Sequence, residues 1–496
     1  MNQKISGYKD VLIYLSKLEK EFPVQEWEAL GFHIWPVLRI SLGLKLYSEN
    51  CFTGENQIAQ WKENVYSESL SSVYHSALCS VKDFSNNQTL NDSYSAIFLN
   101  VSSTRYYKLG KKWFNPFSDS FINYLEKDNL KSLVLEYVDT KENKIPRYRS
   151  SKYITSGVNS ENLKVILKKK SSLNLDKLHE FKNFLKEVNL PEEFFATKIL
   201  RVFHYSQYFT NIFKRTNPKL ALLVGYFSYL AMGYTLAAKK LKIKSIDIQH
   251  GIQSENDFLY SKWLKSPAQG YEVLPEYFWC WSEKEKNNIN EWASELANHS
   301  ALTGGNPVLQ VDENNKNIKF FIDEIKKIKN SKEKSVNILY THQASYQLTE
   351  FFIEVIKNSP KNWIWWFRFH PQYMGAKDKI LLQLSNENIV NVIYEKINEY
   401  PLALLLNNID IHVTDYSSSV LEAEMMGVPT IFLSNTGVEL YGGQIESGIA
   451  KPGTTEKDFF ESAQFFLSNK GKYSVKNNKE KFKEGINILK NLINQN

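Results

Sequence analysis

The sequence predicts an α/β fold of two Rossmann-like lobes whose parallel sheets face a central cleft. In both halves of the chain, short apolar runs of strand length alternate with helical stretches. That alternation is typical of parallel sheets covered by helices on both faces. A Gly-Gly-Asn-Pro cluster at 304–307 interrupts it and cannot continue a helix. We therefore place the junction of the two lobes there.

Composition supports an ordinary globular protein. The 496 residues are 43% hydrophobic and 23% charged, and the mean hydropathy of −0.40 argues against a polytopic membrane protein. A net charge of +7 is too small for a dedicated nucleic-acid binder, so no nucleic acid partner is expected. Cys51, Cys79 and Cys280 lie far apart, which indicates neither a disulfide framework nor a cysteine zinc site and fits a reducing cytoplasm.

The chain divides into four segments. Residues 1–90 are predicted to be a helical N-terminal extension, and residues 91–305 an N-terminal Rossmann-like lobe. Residues 306–470 are predicted to be a C-terminal Rossmann-like lobe. Residues 471–496 form a helical tail that we expect to pack back on the first lobe.

One uncharged segment, Leu220–Ala238, allows two interpretations in the first lobe. Its length would suit a single membrane span. Alternatively, Leu220–Val224 is a buried strand, Gly225 a turn, and the remainder a helix to about Leu241. The second interpretation is favoured because Lys244–Gln249 then completes a strand–helix–strand unit.

Further strands are predicted from apolar runs on both sides of the junction. Ser95–Val101 and Tyr277–Trp281 belong to the first lobe. The runs assigned to the second lobe are Val336–Thr341, Trp363–Phe369, Ile389–Tyr394, Ile409–Thr414 and Thr430–Leu433. Because ligands of open α/β sheets collect at the carboxyl ends of parallel strands, the residues that follow these runs are the candidates for chemistry.

The first candidate is His370-Pro371, which follows an apolar strand. Pro371 ends the ladder, and the imidazole of His370 could donate to a phosphate oxygen or transfer a proton near neutral pH. The alternative is a histidine that merely caps the strand end. We favour the functional interpretation because of its position at the sheet edge.

The second candidate is the triple serine Ser417-Ser418-Ser419, which lies between a strand and a short helix. Hydroxyls and amides at a helix start favour a phosphate, and Glu422 could hold ribose hydroxyls. The alternative is local, because Ser419 and Glu422 match a capping box that would satisfy the backbone alone.

The third candidate is His250-Gly251 in the first lobe, with Glu255 and Asp257 in the loop beyond. An imidazole or carboxylate there could take the proton from an attacking acceptor hydroxyl. Asp247, three residues earlier, could orient His250. A solvated loop is the alternative for Glu255 and Asp257.

Two cationic side chains and the absence of four common catalytic motifs give further information on the chemistry. Arg105 and Lys108 lie among aromatics and are candidate acceptor contacts, although an ordinary solvated loop fits equally. The chain has no D-x-D pair, G-x-S-x-G elbow, G-x-x-x-x-G-K-[ST] loop or G-x-G-x-x-G fingerprint. We therefore expect metal-independent chemistry.

These motifs together resemble the GT-B glycosyltransferases and related transferases of bacterial surface polysaccharides. His370-Pro371 matches their His-Pro motif and Ser417-Ser418 their Ser-Ser motif, while His250-Gly251 is similar to the His-Gly step of CDP-glycerol glycerophosphotransferases. Capsule and lipopolysaccharide Kdo transferases and bacterial sialyltransferases share the paired motifs. The resemblance implies that the His-Pro and Ser-Ser motifs of this chain bind a nucleotide phosphate, commonly that of a cytidine nucleotide.

The resemblance implies a glycosyltransferase that moves a CMP-activated acidic sugar, Kdo-like ahead of sialic acid, to a glycan or lipid-linked glycan. It also implies that the N-terminal lobe binds the acceptor and the C-terminal lobe the nucleotide-sugar co-substrate, with no further cofactor. Gly-Ile-Gln after His250 departs from the Gly-Thr-Pro of the glycerophosphotransferases and lowers that option. A CDP-glycerol-type transferase, a nucleotide-sugar epimerase and a non-catalytic glycan-binding scaffold remain alternatives. The expected location is cytoplasmic, with peripheral contact at the inner face of the membrane.

Overall fold

The computed structural model describes residue 5 and residues 7–51, 92–138, 146–167, 173–295, 298–329, 335–343, 345–370 and 375–495. Cys79, Pro371 and residues 52–91 of the predicted N-terminal extension lie outside this part of the chain, as does the side chain of Cys51.

The strands of the described chain belong to two large sheets and two small hairpins. In chain order they are β1 (Glu28–Ala29), β2 (Phe32–His33), β3 (Ala96–Val101), β4 (Tyr107–Leu109), β5 (Lys112–Phe114), β6 (Ser132–Tyr137), β7 (Lys152–Tyr153), β8 (Leu220–Leu223), β9 (Lys244–Ile248), β10 (Tyr277–Cys280), β11 (Ser300–Thr303), β12 (Val336–Thr341), β13 (Trp363–Arg368), β14 (Val392–Ile393), β15 (Ile411–Thr414), β16 (Thr430–Phe432) and β17 (Ala450–Pro452).

The helices cover the sheets and form both ends of the chain. In chain order they are α1 (Tyr8–Glu21), α2 (Trp35–Cys51), α3 (Pro116–Leu125), α4 (Thr155–Leu167), α5 (Phe181–Val188), α6 (Glu192–Thr216), α7 (Tyr229–Lys240), α8 (Glu283–Ala293), α9 (Lys316–Lys329), α10 (Glu350–Lys357), α11 (Lys377–Asn386), α12 (Leu402–Leu406), α13 (Ser419–Met425), α14 (Asn435–Leu440), α15 (Gly442–Glu446), α16 (Glu456–Ser468) and α17 (Asn478–Asn494).

Two parallel sheets organise the molecule into two lobes. The first has seven strands in the order β11-β10-β9-β8-β3-β6-β7, and the second has six in the order β14-β13-β12-β15-β16-β17. Every neighbouring pair within them is parallel. The predicted fold class, two Rossmann-like lobes of the GT-B type, is confirmed.

The strand–helix–strand interpretation of the uncharged segment is also confirmed. Strand β8 pairs in parallel with β9, and α7 connects them. Gly225 makes the turn at a φ of 72°, a backbone region that glycine adopts without steric cost. Within the described residues, none of the helices combines the length and the apolar character that a membrane span requires.

Several strands are absent from the sequence-based prediction. The segment around Arg105 and Lys108 is not an open loop, because β4 and β5 form a hairpin that turns at Gly110. Strand β11 ends immediately before the Gly-Gly-Asn-Pro cluster predicted as the junction, and β6, β7 and β17 extend the first and second sheets. These strands are short or carry charges, so their apolar periodicity is weak.

The two lobes pack directly against each other. The β4–β5 hairpin places Tyr107 and Phe114 in one apolar cluster with Trp366 of the second lobe. Trp281 of the first lobe shares another cluster with Val420 and Phe432 of the second. These shared clusters fix the distance between the carboxyl edges of the sheets.

The C-terminal helix α17 lies against the first sheet. Its Phe482 ring lies 5.0 Å from that of Phe121 and 5.6 Å from that of Trp279. At the junction, the Asn478 side chain accepts a hydrogen bond from the Asn306 amide at 2.6 Å and donates one to the Asn306 carbonyl at 2.9 Å. The chain thus returns to the first lobe and binds the inter-lobe turn.

Candidate functional site

The carboxyl ends of two strands, one from each sheet, meet across the cleft. His250 and Gly251 follow β9, and Ser417 to Ser419 follow β15. A Cβ atom built on Gly251 would lie 3.6 Å from Ser418 Cβ and 3.7 Å from Ser418 Oγ. The structure therefore brings the His-Gly and Ser-Ser segments into contact, although they lie far apart in sequence.

A buried hydroxyl network holds the triple serine. Ser419 Oγ lies 2.9 Å from Thr341 Oγ1 and donates to Ser417 Oγ at 3.0 Å. The Ser417 hydroxyl also accepts from the Ser419 backbone amide at 3.3 Å. Ser417 is only 9% exposed, whereas Ser418 is half-buried at the contact with Gly251.

The capping-box alternative for Ser419 and Glu422 is wrong. Ser418, not Ser419, is the residue that precedes α13, and the Ser418 side chain makes no capping hydrogen bond. The Ser419 hydroxyl is engaged in the network instead. Glu422 Oε2 is buried and has no hydrogen-bond partner among the described residues, so local backbone satisfaction does not explain this carboxylate.

Glu422 is a buried acid between the lobes. Its residue is 5% exposed, and burial raises the pKa of its carboxyl to about 8, against the opposing charge of Arg368. The negative charge of Glu422 in turn raises the pKa of Tyr106, which is already raised by burial. A ligand hydroxyl entering here would meet a carboxyl group that lacks a partner for one oxygen.

Arg368 is a cation that the sequence reasoning did not single out. It is the last residue of β13, and its guanidinium donates to the carbonyls of Ile397 at 3.0 Å and Tyr400 at 2.8 Å. Burial lowers the pKa of Arg368 to about 10, and Tyr106 and Glu422 oppose that shift. It remains charged at neutral pH and supplies positive potential beside Glu422.

His370 lies two residues beyond β13 and is half-buried, while its neighbour Pro371 lies outside the described residues. In the sheet, β12 separates β13 from β15, so the ends that carry His370 and Ser417 are about 10 Å apart laterally. Between them, His342 follows β12 and is buried, with Nε2 2.7 Å from the Ser345 carbonyl. The rule that singled out His370 would have found His342 as well.

On the first-lobe side, His250 is half-buried and its Nδ1 has no hydrogen-bond partner among the described residues. Burial lowers the pKa of His250 to about 4, so the ring is neutral at pH 7. Asp247 does not serve as its predicted partner in a hydrogen bond, since Asp247 Oδ2 accepts from the Tyr260 hydroxyl at 3.0 Å. Burial raises the pKa of Asp247 to about 7.

The two loop carboxylates differ sharply. Asp257 is buried, and its Oδ1 accepts from the Leu259 amide at 3.0 Å. Burial raises the pKa of Asp257 to about 7, within reach of general acid–base work at neutral pH. Glu255 is exposed, which matches the solvated-loop alternative.

The structure does not support Arg105 as a direct acceptor contact. This residue is 1% exposed, and its guanidinium donates twice to the Glu136 carboxylate at 2.9 Å and once to the Trp113 carbonyl at 3.1 Å. Arg105 thus fixes the β4–β5 hairpin to β6. Lys108 is half-buried on the hairpin, with its ammonium 4.8 Å from the centre of the Trp113 ring.

No metal centre is evident in the described ranges. Among these residues, no three His, Cys, Asp or Glu side chains converge as metal ligands. The polar groups that converge on the cleft are hydroxyls, imidazoles, one guanidinium and buried carboxyls.

Comparisons with known proteins give a fold but no family. No protein-family model and no curated sequence matches the chain. The UDP-GlcNAc 2-epimerase of Neisseria meningitidis, solved with UDP-GlcNAc, has a TM-score of 0.50 and 16% identity over 81% of this chain and 100% of its own. That likeness shows a shared GT-B-type fold.

Two further structures resemble the chain more weakly. The UDP-GlcNAc 2-epimerase of Methanocaldococcus jannaschii, solved with UDP-GlcNAc and UDP, has a TM-score of 0.49 and 17% identity over 80% of this chain and 99% of its own. The wall teichoic acid polymerase TagF has a TM-score of 0.45 and 15% identity over 86% of this chain and 99% of its own.

Proposed function

We propose that this chain is a metal-independent GT-B glycosyltransferase that takes a sugar from a nucleotide-sugar donor and transfers it to a glycan acceptor. One observation carries the proposal. The Ser417–Ser419 network of the second lobe lies in contact with the His250-Gly251 segment of the first, at the carboxyl edges of two parallel sheets. A donor phosphate on one side and an acceptor hydroxyl on the other would meet there.

The proposed roles follow from the chemistry of each side. Ser417, Ser418 and His370 would donate to the leaving phosphate, and Arg368 would favour its charge. Glu422, whose raised pKa of about 8 keeps its carboxyl mostly protonated at pH 7, would exchange hydrogen bonds with ligand hydroxyls through Oε2, for which the described residues provide no direct hydrogen bond. On the facing side, Asp257 or His250 would receive the acceptor proton. The pKa of about 7 favours Asp257 for this task.

The donor follows from the resemblance of the motifs. The His-Pro and Ser-Ser motifs favour a CMP-activated acidic sugar, Kdo-like ahead of sialic acid, with a CDP-glycerol-type donor as the alternative. A thermal-shift panel of CMP, CDP, UDP, GDP and ADP tests this choice. Cytidine nucleotides should raise the melting temperature most, since a ligand that binds only the folded state stabilises it. Stabilisation by none of the five nucleotides would contradict the nucleotide-binding proposal itself.

A second candidate function is nucleotide-sugar epimerisation. The Neisseria meningitidis neighbour, which shares the fold at a TM-score of 0.50, is a UDP-GlcNAc 2-epimerase. An epimerase converts its nucleotide sugar without an acceptor, whereas the proposed transferase needs one. Chromatography of each nucleotide sugar incubated without acceptor therefore separates the two: an isomerised nucleotide sugar supports the epimerase, and dependence on added glycan supports the transferase. Glycan affinity without nucleotide affinity would indicate a scaffold instead.

A further inference from the structure

His412 lies at the centre of the hydroxyl network behind the triple serine. It is the second residue of β15 and is fully buried. Its Nδ1 lies 2.9 Å from Thr430 Oγ1 on the neighbouring strand β16. Its Nε2 lies 2.9 Å from Thr341 Oγ1 on β12 and 3.2 Å from Ser419 Oγ. One imidazole on β15 thus connects β12, β16 and α13 at the sheet edge that carries the candidate site.

The directions of these hydrogen bonds can be assigned by counting protons. A serine hydroxyl has one proton and two lone pairs. Ser419 donates its proton to Ser417 Oγ, so it must accept in its contact with His412. His412 Nε2 therefore carries the hydrogen. Burial lowers the pKa of His412 to about 3, so the ring is neutral, and Nδ1 must accept from the Thr430 hydroxyl.

The same count of protons and lone pairs determines whether the Ser417 hydroxyl acts as a donor or an acceptor. Both lone-pair positions of Ser417 Oγ are filled, by the Ser419 hydroxyl at 3.0 Å and the Ser419 amide at 3.3 Å. Ser417 can then act only as a donor toward a third partner. The described residues provide no acceptor for this proton, and the segment that carries it meets Gly251 across the cleft.

We propose that His412, held as the Nε2–H tautomer by Thr430, is a positioning residue that fixes the Ser417 hydroxyl as a donor to the ligand's phosphate. The inference deepens the proposed function and rests on it, since it takes the phosphate to be the group that Ser417 contacts. Without the imidazole proton, Ser419 loses a donor, and the Ser417 hydroxyl is no longer held in one orientation. Preorganised donors are effective because they need no rearrangement when charge arrives.

The tautomer is measured directly by NMR of protein labelled with 15N-histidine. The His412 resonances are identified by their absence from the His412→Gln spectrum. We expect a correlation pattern in which Nε2 carries the proton and Nδ1 does not. A proton on Nδ1, or on both nitrogens at pH 7, would overturn the inference, and this readout needs no ligand.

The ligand side is tested with two variants of the same residue and the free nucleotides CMP, CDP and UDP. The amide of His412→Gln reaches the position of Nε2 and keeps an N–H donor there, whereas the shorter His412→Asn leaves that position empty. We expect His412→Asn to weaken binding of the best of these nucleotides by about tenfold, the order of one hydrogen bond to a charged group. His412→Gln should stay close to the unsubstituted protein.

Another buried histidine controls for general effects of the substitution. His299 in the first lobe is also buried and hydrogen-bonded at both ring nitrogens, to the Tyr271 amide and the Pro275 carbonyl. His299→Asn should lower the melting temperature without changing nucleotide affinity. If His412→Gln and His412→Asn bind the nucleotide with equal affinity, the inference is overturned and the proposed function still stands. This holds both when the two variants keep the affinity of the unsubstituted protein and when they both lose it. If none of the three nucleotides binds the unsubstituted protein, the proposed function fails and the inference fails with it.

Discussion

The two sides of the cleft use their polar groups in different ways. On the second-lobe side, Ser419 hydrogen-bonds to Ser417. Behind it, Ser419 also hydrogen-bonds to Thr341 and His412, which hydrogen-bond to each other. On the first-lobe side, His250 Nδ1 has no partner among the described residues, and Asp257 Oδ1 accepts a hydrogen bond from the Leu259 amide. One side is a pre-oriented set of donors, and the other a set of groups that can gain or lose a proton.

Burial has opposite consequences for these two sets. For hydroxyls that hydrogen-bond to one another, a low local dielectric strengthens each bond. For an acid or base with few partners, the same dielectric disfavours the charged form, which raises the pKa of an acid and lowers the pKa of a base. Burial raises the pKa of Asp257 to about 7 in this way. The difference separates a binding surface for a charged phosphate from an environment suited to proton transfer.

The largest expected effect concerns His370. Replacing His370 by Ala should lower turnover of whichever nucleotide sugar stabilises the protein by at least about a hundredfold, because a donor to the developing phosphate charge is lost. Steady-state kinetics checks this, with circular dichroism to show that the fold is kept. His179→Ala is the matched control, since His179 is exposed on the first lobe. Normal turnover by a folded His370→Ala protein would remove His370 from the binding side.

The second prediction concerns the proton-transfer side and the pH dependence of stability. Because the native pKa of Asp257 is raised to about 7, the folded state keeps this proton between about pH 4 and 7 while the unfolded chain loses it. The contribution of Asp257 to the free energy of unfolding is therefore full below about pH 4 and is lost as the pH rises through 7. Asp257→Asn should abolish that loss, which is about 4 kcal/mol for a pKa that rises from about 4 in the unfolded chain to about 7 in the folded state.

Urea denaturation at a series of pH values gives the free energy of unfolding of the wild type and of Asp257→Asn, and the difference between the two pH profiles isolates the contribution of Asp257. Other groups that titrate on folding, including Asp247 and His250, remain in both proteins and cancel from the comparison. Glu255→Gln, an exposed carboxylate two residues away, should follow the wild-type profile. Parallel profiles for the wild type and Asp257→Asn would show that this carboxyl is not held in its neutral form.

The third prediction concerns the serine that faces the cleft. Ser418 is half-buried, contacts the Gly251 segment and makes no side-chain cap for α13, so removing its hydroxyl should leave stability nearly unchanged. Ser418→Ala should nevertheless weaken nucleotide binding by about tenfold, through one lost bond to a charged group. Titration calorimetry checks the affinity, with the exposed Ser468→Ala as control. Unchanged affinity would limit phosphate binding to Ser417 and the backbone.

Sequence periodicity predicts the frame of the molecule well. The strand at Val336–Thr341 is a mostly apolar run, and Lys244–Ile248 alternates isoleucines with polar residues after a helix. Their position and parallel pairing follow from these patterns. The β4–β5 hairpin is different. Its strands have three residues each, with lysines at 108 and 112, so its formation follows from tertiary contacts. These are the packing of Tyr107 and Phe114 on the second lobe and the hydrogen bonds of Arg105 to Glu136 and Trp113.

The residues of the candidate site also fall into those that the sequence predicts and those that it does not. His250, His370 and Ser417 are predictable because each follows a strand, and a strand's end fixes its place at the sheet edge. His412 is not predictable by that rule, since it lies within β15 and acquires its partners only through pairing with β12 and β16. A histidine inside a short apolar strand is nevertheless a signal, because such a polar ring requires partners when buried. The burial of Asp257 within a polar loop has no comparable signal.

The smallest expected effect tests the contact between the two sides. A Cβ on Gly251 would meet Ser418 at 3.6 Å and 3.7 Å, which is ordinary van der Waals contact, so Gly251→Ala should fold with unchanged stability. Its methyl group would project between the two segments and should weaken nucleotide binding a few-fold, by less than about 1 kcal/mol.

The matched control for that substitution is Gly304→Ala at the junction. There the new Cβ would lie 2.1 Å from the Trp279 ring, and the resulting overpacking should cost about 1–3 kcal/mol of stability. Differential scanning fluorimetry with and without CMP separates the two variants: Gly304→Ala should melt earlier in the absence of ligand, and Gly251→Ala should differ from the wild type only in the ligand-induced shift. An unchanged shift in Gly251→Ala would mean that the ligand does not pass between these segments, and the two sides of the cleft would then act at separate places.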